Sequence, residues 1–346
     1  MKAAVFHEYG SPEVLKYEDF PIPEIGSNQV LVEVKAVALN HLDLLVRKGI
    51  PGLKLELPHI LGSDISGIIK ETGSAVAEGL YASQKVIIDP NLSCGVCEFC
   101  IRGEESLCVD YGILGEHSRG GYADFISVDE KNIIPIPEYS ELDFSQAAAV
   151  PLTFMTAWRM LVTKARVRPG DDVLILGIGG GVALAALQIA KTAGARVLVT
   201  SSTDEKLEKA IELGASVGIN YKTNPDFHKE VWNFTNRRGV DIVVDSVGEA
   251  TWAKSLRSLS KGGKLVTCGA TTGPNATTNL NLLFWKQLEI LGSTMGSRSE
   301  LRDVLKLVWN GQLNPVVDRI LPLSKAQKAH EILEKSEQFG KLVLKP

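Results

Sequence analysis

The spacing of apolar positions divides the chain into parts with different periods. From Met1 to about Val150, short runs of β-branched and apolar residues are separated by Gly and Pro turns, which is typical of strands. The clearest runs are QVLVEVKAVAL, ISGIIKETG and KVIIDP. This part of the chain is therefore predicted to be a β-rich domain.

From about Pro151 to Gly292, strand-like runs alternate with segments of helical period. DVLILG leads into VALAALQIAKTAG, RVLVTS into DEKLEKAIELG, SVGINY into DFHKEVWNFTN, and DIVVDS into TWAKSLRSLS, followed by KLVTCG and LEILGS. This alternation predicts βαβ units and therefore a doubly wound parallel sheet covered by helices on both faces.

The C-terminal segment has two amphipathic helix patterns, near Glu300–Trp309 and Lys325–Glu334, and ends in the strand-like GKLVLK. A short strand cannot stand alone, so we expect it to return to the β domain. The predicted organisation is a β domain over residues 1–150, completed by about 293–346, and an α/β domain over 151–292.

Composition changes this picture little. The 346 residues are 45% hydrophobic and 23% charged, and the formal net charge is −4, which argues against nucleic acid or an anionic membrane as the main partner. The uncharged window Val173–Ala190 has four glycines within residues 177–181, which would break a spanning helix. We expect a soluble protein, and the clustering of the cysteines favours a reducing compartment, the cytoplasm.

A glycine-rich turn follows the first strand of the α/β part. Gly177, Gly180 and Ala183 are spaced three apart, between a strand and a helix whose first residues are Gly181 and Val182. Glycines there let the backbone turn tightly and approach a pyrophosphate, which binds at the helix N-terminus. In a run of βαβ units, this pattern predicts a dinucleotide site; a generic α/β turn is the alternative.

The end of the next strand bears on the choice of dinucleotide. A carboxylate there would bind an NAD ribose, but RVLVTS ends in Ser201 and Ser202. The first acids, Asp204 and Glu205, fall in the following helix turn, where a helix N-terminus accounts for them. Lys206 is close enough to bind a 2′-phosphate, so NADP(H) is predicted over NAD(H).

These features resemble the medium-chain dehydrogenase/reductase superfamily, which contains zinc alcohol dehydrogenases and quinone oxidoreductases. The resemblance covers almost the whole chain: LNHLDLLVRKG, LPHILGSDISGII, a four-cysteine lobe, GGYADFISV, AAAVPLTFMTAW, the glycine loop, VDSVG and GKLVLKP. It implies a GroES-like β-barrel domain, a Rossmann-type dinucleotide-binding domain and hydride transfer to or from nicotinamide.

The four-cysteine lobe, at about residues 90–112, matches the structural zinc spacing of the zinc-dependent branch, C-x2-C-x2-C-x7-C. The matching residues are Cys94, Cys97, Cys100 and Cys108. A closed S4 shell has no open position for water or substrate, so one zinc here is structural. An iron–sulfur cluster is one alternative, but the seven-residue gap before Cys108 does not fit the cysteine spacing of bacterial ferredoxins. A lobe without metal is the other alternative.

The resemblance fails at the catalytic zinc of that branch. Its three ligand positions fall on Asn40, Ser63 and about Leu152, and the hydroxyl that relays the alcohol proton is replaced by Leu42. Amide, hydroxyl and alkyl groups are poor zinc ligands. An unorthodox site formed by His41, His59 and Asp64 is a weaker alternative to ordinary packing.

The zinc-free quinone and enone reductase branch carries an N-x-x-D motif, which Asn40 and Asp43 reproduce. That branch binds the 2′-phosphate with a Lys and a Tyr, which Lys206 and Tyr221 match. The resemblance also places other residues near substrate or nicotinamide. They are His41, Thr156, Val247 and Gly269.

We therefore expect NADPH-dependent reduction of a quinone or α,β-unsaturated carbonyl without catalytic zinc. An alcohol dehydrogenase with altered zinc ligands and a non-enzymatic NADPH-binding protein are the alternatives. The proton donor stays open between His41, Tyr111 and solvent. Leu42, Leu152 and Trp285 suggest a non-ionic substrate, and a homodimer or homotetramer is expected through the strand LEILGSTMGS.

Overall fold

The computed structural model describes every residue from Met1 to Pro346. The chain folds into two compact units. The first contains Met1–Leu152 and Ser297–Pro346, and the second contains Thr153–Gly296. No helix is long and apolar enough to cross a membrane.

The first unit is built on a seven-stranded sheet, a three-stranded sheet and a two-stranded ribbon. With strands numbered along the whole chain, its members are β1 (Lys2–Phe6), β2 (Leu15–Asp19), β3 (Gln29–Ala38), β4 (His59–Ile60), β5 (Asp64–Thr72), β6 (Lys85–Ile88), β7 (Asn91–Leu92), β8 (Gly112–Ile113), β9 (Phe125–Asp129), β10 (Ile133–Pro135), β17 (Val317–Pro322) and β18 (Lys341–Lys345).

The helices of this unit lie between and after these strands. They are α1 (His41–Lys48), α2 (Glu98–Ile101), α3 (Phe144–Ala148), the start of α4 (Pro151–Trp158), α10 (Arg298–Trp309) and α11 (Ala326–Glu334). Short 3₁₀ turns occur at Pro12–Val14, Glu105–Leu107, Glu130–Asn132 and Leu323–Lys325.

The seven-stranded sheet has the order β10-β6-β5-β3-β18-β17, with β9 also paired to β3. The C-terminal strand β18 runs antiparallel to β3, with Val343 opposite Ala38. Both strands are apolar and almost fully buried at this point, so the pairing buries side chains as well as backbone groups. This register brings the first residue of β18, Lys341, close to the chain that follows β3.

The second unit contains a six-stranded parallel sheet of order β13-β12-β11-β14-β15-β16. Its strands are β11 (Asp172–Ile175), β12 (Arg196–Ser201), β13 (Val217–Asn220), β14 (Val240–Asp245), β15 (Leu259–Thr267) and β16 (Glu289–Gly292). Its helices are the end of α4, a π-helical turn at Arg159–Ala165, α5 (Gly181–Thr192), α6 (Asp204–Glu212), α7 (Phe227–Phe234), α8 (Trp252–Ser258) and α9 (Leu280–Lys286).

Counted from β11, the strand order is 3-2-1-4-5-6, which is that of a dinucleotide-binding Rossmann fold. The strands are almost continuous apolar runs, as expected when helices cover both faces of a parallel sheet. Together with the β domain, this confirms the predicted fold class. The sequence patterns did not anticipate α1, α9 or the π-helical turn.

Candidate active site

The N-x-x-D motif forms the start of α1. Asn40 is the residue that precedes the helix, in an extended conformation, and Asp43 is its third residue. The Asp43 carboxylate accepts hydrogen bonds from the Asn40 N–H (2.7 Å) and the Gly62 N–H (3.1 Å). Asp43 therefore ties the start of the helix to the chain segment that precedes β5.

A compact polar cluster surrounds the Asn40 amide. Lys341 Nζ donates to Asn40 Oδ1 at 2.6 Å and to Asp64 Oδ2 at 2.8 Å, and Asn40 Nδ2 donates to Asp64 Oδ2 at 3.0 Å. Asp64 Oδ1 accepts the Leu152 N–H at 2.7 Å. All four residues are buried, so these bonds replace the water that the polar groups lose on folding.

The three positions of the family's catalytic zinc ligands meet at this cluster, and they do not fit a metal. Asn40 Oδ1 is occupied by a lysine ammonium, and Leu152 offers only an alkyl side chain. Ser63 is fully buried, and its hydroxyl has no hydrogen-bond partner. A neutral hydroxyl and amide beside a fixed cation are a poor shell for a divalent ion.

The histidines weighed as unorthodox ligands do not complete a site either. His41 is exposed on α1, whereas His59 is buried and its Nε2 lies 3.1 Å from the Gly115 carbonyl oxygen. Burial lowers the pKa of His59. His41, His59 and Asp64 do not form a group with metal-ligand spacing, and the cysteine cluster does.

A buried hydrogen-bond chain continues from Asp43 into α11. The Tyr122 hydroxyl donates to Asp43 Oδ2 (3.2 Å) and lies 3.2 Å from His330 Nε2. Burial raises the pKa of Asp43 to about 6, against the N–H bonds and Lys341, which lower it. Burial, with the nearby Arg47 guanidinium, lowers the pKa of His330 to about 3, so this imidazole is neutral at pH 7.

The four cysteines of the lobe converge, and their sulfur atoms all lie within 4.8 Å of one another. The Cys94–Cys108 and Cys94–Cys100 sulfurs are 3.5 Å and 3.9 Å apart. A tetrahedral zinc with Zn–S bonds of about 2.3 Å requires sulfurs about 3.8 Å apart. The cluster therefore fits one four-coordinate zinc with a closed shell.

Backbone groups prepare this cluster for a cation. The N–H groups of Cys94 and Cys97 point at the sulfurs of Cys108 and Cys94, each at 3.3 Å. Backbone N–H groups lower the pKa of Cys97 to about 6, whereas burial raises that of Cys100 to about 12. Four thiolates cannot form together without a positive ion, which a zinc supplies.

Buried polar residues anchor the lobe to the β domain. Asp89 accepts the N–H and the side-chain amide of Asn91, and Arg298 Nε lies 3.4 Å from its second oxygen. The Tyr111 hydroxyl donates to Asn91 Oδ1 at 2.7 Å. Tyr111, which the sequence left open as a proton donor, is therefore part of the support of the lobe.

In the second unit, the glycine loop connects β11 to α5. Gly177 and Gly179 have positive φ angles of 67° and 117°, which favour glycine. A Cβ atom placed on Gly180 would come no closer than 3.7 Å to another protein atom. The Gly180 backbone is therefore not closely covered on its Cβ side, and the first N–H groups of α5 have no partner within the helix.

The loop is fixed to the end of β12. The Gly177 N–H donates to Thr200 Oγ1 (3.2 Å), and the Ile178 N–H donates to the Thr200 carbonyl (2.8 Å). Val247, after β14, lies next to Gly177, and a Cβ on Gly269 would meet its nearest neighbour at 3.7 Å. These positions share one edge of the sheet, where ligands of doubly wound folds bind.

The end of β12 carries no carboxylate. Ser201 is buried, and the nearest acid, Asp204, begins α6 and accepts a hydrogen bond from Asn220 Nδ2 at 2.8 Å. Tyr221 follows directly and is 41% exposed. Lys206 lies in the first turn of α6, so the predicted 2′-phosphate residues lie at the ends of neighbouring strands.

Thr156 and Trp285 are two of the residues predicted to lie near the nicotinamide or the substrate. Thr156 is buried in α4, with its hydroxyl 3.8 Å from the Met295 sulfur. Trp285 is 73% exposed on α9. Lys341, Tyr122 and Thr200 were missed by sequence reasoning. Only Lys341 carried a signal, a charged residue opening the otherwise apolar final strand.

Two family models match the chain. The alcohol dehydrogenase GroES-like domain matches residues 26–138, and the zinc-binding dehydrogenase model matches residues 181–310. The first matched segment lies in the β domain. The second runs from the start of α5 in the Rossmann-type domain to the end of α10.

Similar proteins cover the chain from end to end. An NAD-dependent alcohol dehydrogenase of Sulfolobus acidocaldarius is 34% identical over 100% of this chain and 99% of its own. A quinone oxidoreductase of Rattus norvegicus is 31% identical over 99% of this chain and 97% of its own. The crystal structure of an NAD-dependent alcohol dehydrogenase superposes with a TM-score of 0.96 at 47% identity, covering 100% of both chains.

Proposed function

The chain belongs to the medium-chain dehydrogenase/reductase superfamily, and from that premise we propose that it reduces a quinone or an α,β-unsaturated carbonyl with NADPH and without a catalytic zinc. That it is an oxidoreductase follows from the family. The cofactor, the substrate class and the absence of catalytic zinc are the proposal.

One observation carries this proposal: Lys341 occupies both oxygens that would otherwise face a metal at Asn40 and Asp64. In the zinc-dependent branch, a Lewis acid stabilises the alkoxide during alcohol oxidation, and its loss removes several kcal/mol of transition-state stabilisation. Reduction of a conjugated C=C is less demanding, because ordinary hydrogen bonds can hold the carbonyl oxygen on which charge develops.

Bound NADPH would supply a hydride. In an enone, the hydride forms a C–H bond at the β-carbon, the C=C electron pair shifts toward the carbonyl, and the oxygen becomes an enolate. A proton from solvent then adds at the α-carbon. Asn40 is the residue we assign to the substrate oxygen, because its second Nδ2 hydrogen is not used by Asp64. Asp43 holds the Asn40 backbone rather than the substrate.

The preference for NADPH is supported by the end of β12. Ser201 and Ser202 occupy the position of the carboxylate that binds the ribose in NAD-dependent folds, so no negative charge there repels a 2′-phosphate. The carboxylate of Asp204 accepts a hydrogen bond from Asn220. Lys206 and Tyr221 supply a cation and an exposed hydroxyl. We expect the Kd of NADPH to be at least about tenfold below that of NADH, which corresponds to about 1.4 kcal/mol. Tighter binding of NADH would contradict this assignment.

We assign one structural zinc to the cysteine cluster, because its sulfur spacing and N–H donors suit a closed tetrahedral shell. Cys94, Cys97, Cys100 and Cys108 would hold it. This zinc would fix the shape of the lobe and take no part in hydride transfer.

The test is turnover of NADPH with quinones, enones, saturated ketones and alcohols, on protein whose zinc content is measured. The proposal predicts oxidation of NADPH by quinones or enones, with about one zinc per chain. Oxidation of simple alcohols that requires a second zinc, without activity on enones, would overturn it. NADPH binding without turnover of any substrate would indicate a non-enzymatic role.

Alcohol oxidation is the second candidate, because similar proteins are named NAD-dependent alcohol dehydrogenases. It would require a metal held by residues other than Asn40, Ser63 and Leu152. Added zinc distinguishes the two functions: alcohol oxidation should rise with bound zinc, whereas enone reduction should not change.

A homodimer or a homotetramer is the expected assembly. β16 is an edge strand of the parallel sheet, and Ile290 on it is 37% exposed. Exposed apolar residues lie on α9 beside it: Leu280, Phe284 and Trp285. An apolar edge strand invites pairing with another chain, and light scattering would measure the mass. None of the five cysteines forms a disulfide, which supports a reducing compartment such as the cytoplasm.

A further inference from the structure

Lys341 is a buried cation on a strand whose packing does not need a charge. Its side chain is 4% exposed, and it opens β18, whose other buried members are apolar. Desolvating an ammonium costs several kcal/mol, which a charge partner and hydrogen bonds must offset. Here the partners are Asp64, which is fully buried, and the Asn40 amide.

The three groups can bond in one arrangement only. A lysine ammonium only donates, so the atom of Asn40 facing it must be the carbonyl oxygen. A carboxylate only accepts, so the atom of Asn40 facing Asp64 must be the amide nitrogen. The 2.6 Å and 3.0 Å contacts therefore fix the amide orientation from both sides.

We propose that Lys341 is the positioning residue of the active site, holding Asn40 so that its second Nδ2 hydrogen is offered to a substrate oxygen. This rests on the proposed function. Without Lys341, Asp64 alone orients the amide and Asn40 Oδ1 has lost its donor, so the amide is held less firmly and its second Nδ2 hydrogen is less well placed for a substrate oxygen. The site therefore selects substrates whose reacting group carries a hydrogen-bond acceptor.

The test compares kcat and KM of purified full-length variants with NADPH and an enone. The variants are Lys341→Met, Asn40→Ala and the combination of both, with Lys341→Arg as the conservative replacement. Lys345→Met is the matched control, because Lys345 is an exposed lysine on the same strand. Circular dichroism and thermal unfolding establish that each variant is folded.

We expect Lys341→Met and Asn40→Ala each to lower kcat by about 100-fold, as the loss of one positioned oxyanion donor does. The double variant should be no more than about twofold below Asn40→Ala, because both changes remove the same donor. Lys341→Arg should recover at least about tenfold over Lys341→Met, and Lys345→Met should match the wild type. The Kd of NADPH should stay within about twofold in all variants.

A second readout needs no turnover. With ¹⁵N-labelled asparagine, the Asn40 side-chain amide signal is identified by its absence in Asn40→Ala. In the wild type its hydrogens should exchange slowly, and in Lys341→Met they should exchange at least about tenfold faster. If no carbonyl compound is turned over but this difference is seen, the proposed function fails and the positioning role stands.

If Lys341→Met does not fold, the variant with Asp64→Asn added removes both charges and carries the same kinetic and amide tests. A folded Lys341 variant with kcat within about threefold of the wild type would overturn the proposal. So would multiplicative losses in the double variant, or an Asn40 amide that exchanges equally slowly without Lys341.

Discussion

Two polar clusters of the first unit resemble metal sites in the family, and they differ in what holds them together. The cysteine cluster has four converging sulfur atoms and backbone donors but no protein cation. The cluster around Asn40 has its own cation, Lys341, and no complete ligand set.

The difference shows that a set of possible metal ligands needs a metal only where the protein supplies no cation of its own. Four thiolates near one another repel each other, so their formation together needs an external positive charge. The Asn40 cluster is already neutralised by the Lys341–Asp64 pair, and a divalent ion would add uncompensated charge. We therefore expect the folding stability to depend on a metal and the hydride chemistry to depend on Lys341.

Cys97→Ser is the variant that should separate the two clusters most clearly, and we expect it to lose the most stability. One ligand of the closed shell is lost, zinc content should fall from about one per chain to near zero, and the free energy of unfolding should fall by about 5 kcal/mol or more. Zinc analysis and urea unfolding measure these two quantities. Cys268→Ser, outside the cluster, is the control. Protein that remains folded should keep its turnover, and a folded variant without turnover would make the zinc catalytic.

Asp64→Asn tests the other cluster. It leaves the Lys341 ammonium buried without a charge partner, so the free energy of unfolding should fall by about 3–5 kcal/mol with zinc content unchanged. Asp19→Asn removes the partner of Lys2 in an exposed, solvent-screened ion pair and should leave the free energy of unfolding almost unchanged. Equal losses in urea unfolding of the two variants would mean that the burial of the Lys341 pair has no energetic consequence.

His330→Gln probes the support behind Asp43 through pH. The folded pKa of His330 is about 3 and its ordinary value is 6.5, so between these values only the unfolded chain binds this proton. The free energy of unfolding of the wild type, relative to the variant, should therefore fall by about 1.4 kcal/mol per unit as pH decreases from 6.5 toward 3.

Asp43 and Asp89, whose pKa values are raised to about 6, act in the opposite direction. They are present in both proteins, so the difference between the two unfolding curves isolates His330. Parallel curves across this range would show that His330 titrates normally in the folded protein.

The smallest expected effect is that of Tyr122→Phe. The change removes the hydroxyl that donates to Asp43 and contacts His330, which should cost about 1–3 kcal/mol of unfolding free energy. Urea unfolding measures it, with the exposed Tyr139→Phe as the control, where no change is expected. If kcat fell more than about tenfold while stability held, Tyr122 would belong to the active site rather than to its support.

Sequence reasoning reached the fold because periodicity and turn residues are local. The alternation from β11 to β16 predicted the parallel sheet, and the cysteine spacing predicted that four cysteines of one loop would converge. The Asn40–Asp64–Lys341 cluster could not be predicted in the same way, because Lys341 lies 301 positions from Asn40 and reaches it only through the pairing of β18 with β3. Likewise, the link from Asp43 through Tyr122 to His330 joins three distant segments.

On the function proposed above, the protein holds one zinc, in the cysteine cluster, and the Asn40 amide supported by Lys341 lies where the zinc-dependent branch of the family has its catalytic metal. Zinc per chain and NADPH-dependent enone or quinone turnover, measured on the same preparations across a zinc titration, test it most directly. We expect about one zinc per chain and turnover that does not change when more zinc is offered. Two zincs per chain, with activity rising in proportion to the second, would contradict it.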